Sequence, residues 1–138
     1  MTERTVLAID PGSAKCGLAL VRRDTTGAIR MLWHEVVPTE AVPDKLLEAA
    51  DTSPYQIVIV GAGTTSKELM KSIREKLPGA GMLQVDETNT TLQARERYWE
   101  YNPRRGWRRL LPATLQIPPV PIDDFAALIL AERVLVER

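Results

Sequence analysis

Residues 5–21 read TVLAIDPGSAKCGLALV, two short apolar runs joined by a turn that contains proline and glycine. The first run, 5–9, is rich in β-branched side chains and predicts a buried strand that ends at Asp10-Pro11-Gly12. The second run, 16–21, predicts another strand, and a third follows over 29–37 after a polar turn. Three consecutive strands with short connections predict an antiparallel meander.

Helical and strand patterns alternate in the rest of the chain. Within the third strand Ile29, Met31 and Trp33 alternate with other residues, so we expect them on one face. Thr65 and Glu68 form a capping box at the start of the clearest helix. The predicted elements after Pro43 are a helix from about 44, a strand over 56–60, a helix over 64–77, a strand over 82–85, a helix over about 90–99, a proline-rich loop over 102–121 and a helix over 123–137.

The order β-β-β-α-β-α-β-α-α predicts an α/β fold. We expect a mixed five-stranded sheet, an antiparallel meander followed by βαβ units, with helices on both faces. The chain has 138 residues, a length that fits a single domain over 1–138.

Composition narrows the class of protein. There are 18 basic and 18 acidic residues, so the overall charge does not indicate a nucleic-acid partner. A local cluster of basic residues could still bind one. The one cysteine, Cys16, excludes disulfides, and the one histidine, His34, is expected at the surface or a strand edge rather than as a ligand. With neither a signal peptide nor a membrane span in the sequence, we expect a cytoplasmic protein without a membrane partner.

Acidic residues stand where predicted elements begin or end. Asp10 ends the first strand, Asp86 and Glu87 follow the last strand, and Asp123 and Asp124 open the final helix. Sites in α/β sheets form outside the carboxyl ends of the parallel strands. Several carboxylates gathered there would need a cation, and oxygen donors without His or Cys favour Mg²⁺ or Mn²⁺. Two such ions about 4 Å apart can support phosphodiester hydrolysis.

Each acid also has a structural interpretation. Asp10 before Pro-Gly is a good turn residue, and Asp123 or Asp124 is a good helix N-cap. Asp86 and Glu87 are neighbours on a strand, so at most one of them faces a common site. Only the joint placement of these acids favours the metal site.

Two glycine-containing loops and one arginine-rich segment are candidate phosphate contacts. Residues 60–67 (VGAGTTSK) join a strand to a helix and place Lys67 near the helix N-terminus, although a tight connection alone would explain the glycines. Lys15 follows Asp10 in a loop and either meets a phosphate or is solvated.

The segment 95–109 (RERYWEYNPRRGWRR) carries six arginines and two glutamates, a net charge of +4. Its aromatic residues could stack on bases, and its arginines could bind phosphates. Alternatively, Trp99 lies in the core, Arg95 and Arg97 are solvated, and the remaining arginines decorate a loop. The candidate contacts in its second half are Arg104, Arg105, Trp107, Arg108 and Arg109.

The chain resembles the YqgF (RuvX) family of RNase H-like nucleases. The matching segments are VLAIDPGSAKCGLALV (6–21), VDETNTTLQARERYW (85–99) and PIDDFAALILAERVL (121–135). The resemblance implies an RNase H-like fold and metal-dependent cleavage of structured nucleic acid, either precursor ribosomal RNA or four-way DNA junctions. It places the family's acidic triad, which binds the two metal ions, at Asp10, Glu87 and Asp123, with Asp124 as an added neighbour.

The chain departs from the family pattern at three places. Thr88 stands where the family usually has arginine, Gly61-Ala62-Gly63 replaces a Gly-Leu-Pro turn, and the segment before the last helix is unusually rich in arginine and proline. These departures leave open a module of the same fold that binds nucleic acid without cutting it. The sequence also leaves open a monomer or a homodimer.

Overall fold

The apolar run that opens the sequence forms the centre of the sheet. The structure is a computed structural model that describes residues 2–63, 65–103, 106, 110 and 116–136. Five strands lie in the order β3-β2-β1-β4-β5. Their bounds are Arg4–Asp10 (β1), Lys15–Arg23 (β2), Ile29–Pro38 (β3), Ile57–Gly61 (β4) and Gly81–Val85 (β5). The first three strands are antiparallel, and β1, β4 and β5 are parallel, so the predicted mixed sheet is confirmed.

Four α-helices cover both faces of this sheet, as predicted. They are α1 (Val42–Thr52), α2 (Ser66–Lys76), α3 (Thr90–Tyr101) and α4 (Asp123–Val136), and a 3₁₀ turn at Thr39–Ala41 precedes α1. Helices α3 and α4 lie over one core, with α4 almost entirely buried. Helices α1 and α2 lie over the other core. No helix within the described ranges is long and apolar enough to cross a membrane.

Small residues beneath α4 allow the helix to approach the sheet closely. Ala8 and Ala19 are paired across β1 and β2 and are fully buried in the core on the α4 side. At Gly17, next to the site edge, an added Cβ would overlap the backbone of Asp123. The first turn of α4 is therefore held directly against β2, where Gly17 is the partner of Asp10.

The prediction that Ile29, Met31 and Trp33 share one face is wrong. The pairing of β2 with β3 shifts between Leu20, which pairs with Trp33, and Val21, which pairs with Met31. An extra residue at such a bulge reverses the alternation of side chains. As a result, Ile29 and Met31 pack against the α3–α4 core, and Trp33 packs against the α1–α2 core.

The predicted capping box at α2 is also absent. Thr65 is the N-cap residue, but its side chain makes no capping hydrogen bond. Its hydroxyl instead donates to the carbonyl of Gly12, 3.5 Å away, and so ties the start of α2 to the loop after β1.

Candidate functional site

Three acidic residues from distant parts of the chain lie together at the carboxyl edge of the parallel strands. Asp10 is the last residue of β1, Glu87 follows β5 by two residues, and Asp123 is the first residue of α4. The Asp10 and Glu87 carboxyl groups are in hydrogen-bond contact, and the charge of Asp123 acts on Asp10 as well. The acids that the sequence proposed as a triad therefore form one cluster.

Asp10 is the most perturbed member of the cluster. Burial raises the pKa of its carboxyl group, and the hydrogen bond with Glu87 and the negative charges of Glu87 and Asp123 raise it further, to about 8. Near neutral pH the Asp10 carboxyl group therefore retains a proton, which it donates to Glu87. Because the three carboxyl groups oppose one another's ionisation, a cation that offsets their negative charge would favour the ionised form of Asp10.

Gly61, the last residue of β4, makes room for Glu87. A Cβ at Gly61 would overlap the Glu87 carboxylate, and a Cβ at Gly63 would lie 3.5 Å from Glu87 Oε2. The Gly61-Ala62-Gly63 turn thus brings backbone against a carboxylate. The sequence pattern at Gly61 and Gly63 indicates only a connection or a phosphate loop, and it does not identify Gly17 or Gly61 as a residue that shapes the site.

Lys15 is the cation that the structure places beside the cluster. Its Nζ lies 3.4 Å from Asp123 Oδ2, and more than half of its side chain remains exposed. The ammonium group offsets part of the negative charge of the acids. Because it is accessible from solvent, it could also meet a phosphate there.

Asp124 points to a different partner from Asp123. Its Oδ2 lies 2.7 Å from His34 Nδ1 on β3, and its Oδ1 accepts a hydrogen bond from the Phe125 backbone N–H. Asp124 is 7% exposed, whereas the His34 side chain is 43% exposed. His34 lies at the strand edge as expected, but its bond to the buried Asp124 was not foreseen.

Arg133 fixes the backbone on both sides of Glu87. From the last turn of α4 it donates to the carbonyl of Asp86, 2.8 Å away, and to the carbonyl of Thr88. Gln93 Oε1 accepts a third bond at 2.9 Å. Helix α4 therefore supplies Asp123 at one end and positions Glu87 from the other.

Asp86, the neighbour of Glu87, is excluded from the cluster. It is exposed, and a hydrogen bond from the Thr88 side chain, with further hydrogen bonds and the Arg133 charge, lowers the pKa of its carboxyl group. Thr88 thus has a structural contact at the position where the resemblance leads one to expect arginine.

Lys67 lies in the first turn of α2, exposed, and has no ion pair within the described part of the chain. The connection that precedes it contacts Glu87 through Gly63 and Gly12 through Thr65. Lys67 is therefore the second residue of a helix that starts near the acidic cluster.

The first half of the arginine-rich segment is mainly structural. Arg97 makes a bidentate contact with Glu132 of α4, with Nε and Nη2 2.9–3.1 Å from the carboxylate oxygens. Tyr98 and Trp99 are each 8% exposed, which removes them as stacking platforms because they fill the core against α4. Arg104, Arg105, Trp107, Arg108 and Arg109 lie outside the described residues.

The donor set suits a hard divalent cation, although the acids are not spaced as ligands. Among the residues that the structure describes, no group of three or more His, Cys, Asp or Glu side chains has metal-binding spacing. The Asp10–Glu87 hydrogen bond uses oxygen lone pairs that a cation would take. Displacing its proton would leave three carboxylates, the donors that Mg²⁺ and Mn²⁺ prefer.

Comparison with solved structures identifies the architecture. The Thermus thermophilus RuvC structure superposes with a TM-score of 0.60 over 92% of this chain and 90% of that chain. The chain has the RuvC fold. The T. thermophilus RuvC structure in complex with a Holliday junction substrate gives a TM-score of 0.54 over the same shares. Both comparisons are at 18% sequence identity, so RuvC is a relative in fold.

The mixed five-stranded sheet with helices on both faces agrees with the RNase H-like fold expected from the YqgF resemblance. The yeast mitochondrial Holliday junction resolvase Ydc2 is also similar, with a TM-score of 0.49, 11% identity and coverage of 96% of this chain and 78% of that chain. No family model matches the chain, and no curated protein does so.

Replacing Asp10 with asparagine is expected to stabilise the metal-free protein. The folded-state pKa of Asp10, about 8, lies above the ordinary 3.8, so ionisation opposes folding. This cost is absent below pH 3.8, grows as the pH rises and is complete above pH 8. Because the site is partly solvated, we expect Asp10→Asn to gain on the order of 2 kcal/mol in EDTA at high pH. Urea unfolding measures the gain, and an equal gain at pH 4 and above pH 8 would contradict the account.

Replacing Gly61 with alanine is expected to push the Glu87 carboxylate away from Asp10. The overlap is with the end of a side chain, so the fold should survive with a cost of ~1–3 kcal/mol. Mn²⁺ affinity, measured by calorimetry, should fall well beyond that of Gly79→Ala, the control, where an added Cβ meets nothing within 4 Å. Equal affinities in the two variants would show that the Gly61 contact does not shape the site.

Arg133→Met should loosen the Glu87 loop and weaken Mn²⁺ binding ~10-fold, the range found when partners that orient metal ligands are removed. Its matched control is Arg97→Met, which removes a charged contact between α3 and α4 without touching residues 86–88. We expect both variants to lose stability and only Arg133→Met to bind Mn²⁺ more weakly. An equal loss of Mn²⁺ affinity in the two variants would show that Arg133 contributes to stability and does not position Glu87.

Proposed function

We propose that the chain is a metal-dependent nuclease that hydrolyses phosphodiester bonds in structured nucleic acid. The observation that carries the proposal is the convergence of Asp10, Glu87 and Asp123 at the carboxyl edge of a RuvC-like sheet. Structured RNA, as in a ribosomal precursor, is the substrate class that the YqgF resemblance supports. A homodimer is required only if a junction is cut symmetrically, since that needs two sites.

Asp10, Glu87 and Asp123 would hold the cation or pair of cations, Mg²⁺ or Mn²⁺. Bound there, divalent ions activate a water molecule and stabilise the leaving oxygen of a phosphodiester. The three carboxylates supply the negative charge that binds these ions, and Asp10 must lose its proton for that. Asp124, tied to His34, supports the first turn of α4 and so the position of Asp123.

Lys15 would meet the scissile phosphate. It lies beside Asp123 and is more than half exposed, so its ammonium group can leave the carboxylate for a phosphate. Lys67 would contact the substrate further along, and Arg104, Arg105, Trp107, Arg108 and Arg109 stay predicted contacts. These residues supply affinity and orientation, while the acids supply the reaction.

Branched DNA is the second candidate substrate. It is favoured by the fold shared with RuvC, for which a structure with a Holliday junction substrate exists. The two candidates use the same site chemistry and differ in the nucleic acid presented to it.

A cleavage panel with Mn²⁺ tests the function. It comprises a ribosomal precursor RNA, a four-way DNA junction and single-stranded RNA, and we expect a structured substrate to be cut. Asp10→Asn, Glu87→Gln and Asp123→Asn should each lower the rate by at least ~10²-fold while substrate binding persists. Asp51→Asn, an exposed acid on α1, is the matched control and should retain the wild-type rate.

Two outcomes would overturn the proposal. Cleavage that continues in EDTA, or in the Asp10→Asn variant, would remove the acidic cluster from the reaction. Tight binding of the junction and the RNA without cleavage of either would favour a binding module of the same fold.

A further inference from the structure

Helix α2 carries a row of exposed basic side chains that no contact explains. Lys67, Lys71 and Arg74 are spaced i, i+4 and i+7, so they lie on one side of the helix. All three are exposed, while Leu69 and Ile73 face the core from the same helix. We call Lys67, Lys71 and Arg74 the α2 basic row.

Most other basic side chains that the structure describes are tied to a partner. Lys45 pairs with Glu35 and Glu48, and Lys76 pairs with Asp44. Other arginines are engaged in the same way by carboxylates, hydroxyls or carbonyls: Arg22, Arg23, Arg97 and Arg133. Within the described ranges, none of the three side chains of the α2 basic row has an ion pair or side-chain hydrogen bond. Their charges are therefore available to a partner.

The row begins at the candidate site. Thr65, two residues before Lys67, donates to the carbonyl of Gly12, and Gly63 lies against Glu87. From there α2 leads away from the carboxyl edge of the sheet. A nucleic acid with one phosphodiester at the acids could continue along this helix.

The length and chemistry of the row match a phosphate backbone. Seven residues of α-helix span ~10 Å, about three steps of a duplex in which each strand places one charge every 3.4 Å along the axis. Helix α2 has no aromatic residue, so it offers no stacking platform for unpaired bases. Glu68 and Glu75 also lie on α2, three and four residues from Lys71, so they flank the basic row on one side and favour phosphate contact on its other side, near Lys67 and Arg74.

We propose that Lys67, Lys71 and Arg74 bind the phosphate backbone of a duplex arm that extends from the cleavage site. The inference rests on the proposed nuclease function and specifies the form of its substrate: paired nucleic acid beyond the scissile position. Each contacted phosphate releases condensed counterions, so the row should contribute to the salt dependence of binding.

The test compares two triple variants of equal charge in an Asp10→Asn background, which blocks cleavage. One variant is Lys67→Gln/Lys71→Gln/Arg74→Gln. Its matched control is Arg4→Gln/Arg30→Gln/Lys76→Gln, which removes three positive charges near the opposite edge of the sheet. Arg4 is the first residue of β1, Arg30 is the second residue of β3, and Lys76 ends α2. Circular dichroism and urea unfolding verify that both variants are folded.

Binding of a fluorescent DNA duplex is measured across a range of salt concentrations. Each lost contact should reduce the slope of log K against log salt by ~0.9, so we expect a reduction of ~2–3 in the row variant and less than ~1 in the control. Equal slopes in the two variants would overturn the inference even if the wild-type protein cleaves its substrate. If the row variant bound the duplex normally but lost binding to anionic phospholipid vesicles, the row would belong to a membrane surface and the inference would fail.

Failure of the function is distinguishable from failure of the inference. If the wild-type protein neither binds nor cleaves any nucleic acid, both are wrong. If the parent binds with a salt dependence that the row variant retains, only the inference is wrong.

Discussion

The close approach of α4 to β2 is the constraint on which the candidate site depends. Gly17 leaves no space for a side chain, and the backbone of Asp123 occupies that space. Because Gly17 is also the partner of Asp10 across the ladder, this one contact sets Asp123 beside Asp10. The His34–Asp124 hydrogen bond supports the same helix turn from the strand on the far side of β2. A larger residue at position 17 would push Asp123 away from Asp10, although neither acid would itself be changed.

Folding brings the carboxyl groups of the acidic cluster together, and their mutual repulsion lowers the stability of the folded protein. Three carboxylates near one another, one of them largely buried, oppose complete ionisation, which is why Asp10 keeps its proton to about pH 8. The fold tolerates this cost because the central strands and α4 form an extensive apolar core. A divalent cation would convert the repulsion into attraction, so the same arrangement that destabilises the free protein would favour the metal-bound form.

Much of the fold could be predicted from local patterns. Apart from Thr5 and Gln56, the runs at 5–9 and 56–60 are apolar because both faces of the central strands are covered, and this pattern predicts the strands. The bulge in β3 could not be predicted, because one extra residue reverses the alternation without a distinctive residue to mark it. The capping box failed for a related reason: Thr65 found a tertiary acceptor, the Gly12 carbonyl, in place of its own helix.

The three acids of the candidate site could be predicted from the sequence, but the residues that position them could not. Asp10, Glu87 and Asp123 stand at the ends of elements, a position visible in the sequence and in the YqgF resemblance. The roles of Gly17 and Gly61 depend on which backbone lies opposite, and Arg133 acts across 45 residues or more of sequence. Tyr98 and Trp99 alternate with arginines in the sequence, a pattern that suggests a nucleic-acid-binding surface. In the structure both are buried and pack in the core.

If Asp10, Glu87 and Asp123 act as one cation-binding unit, titration of Asp10 itself shows this most directly. Carbon-13 NMR of the Asp10 carboxyl group should give a pKa of about 8 in EDTA. With excess Mg²⁺ the pKa should fall below the ordinary 3.8, because the cation favours the ionised form. A pKa near 3.8 in EDTA that Mg²⁺ leaves unchanged would contradict the account.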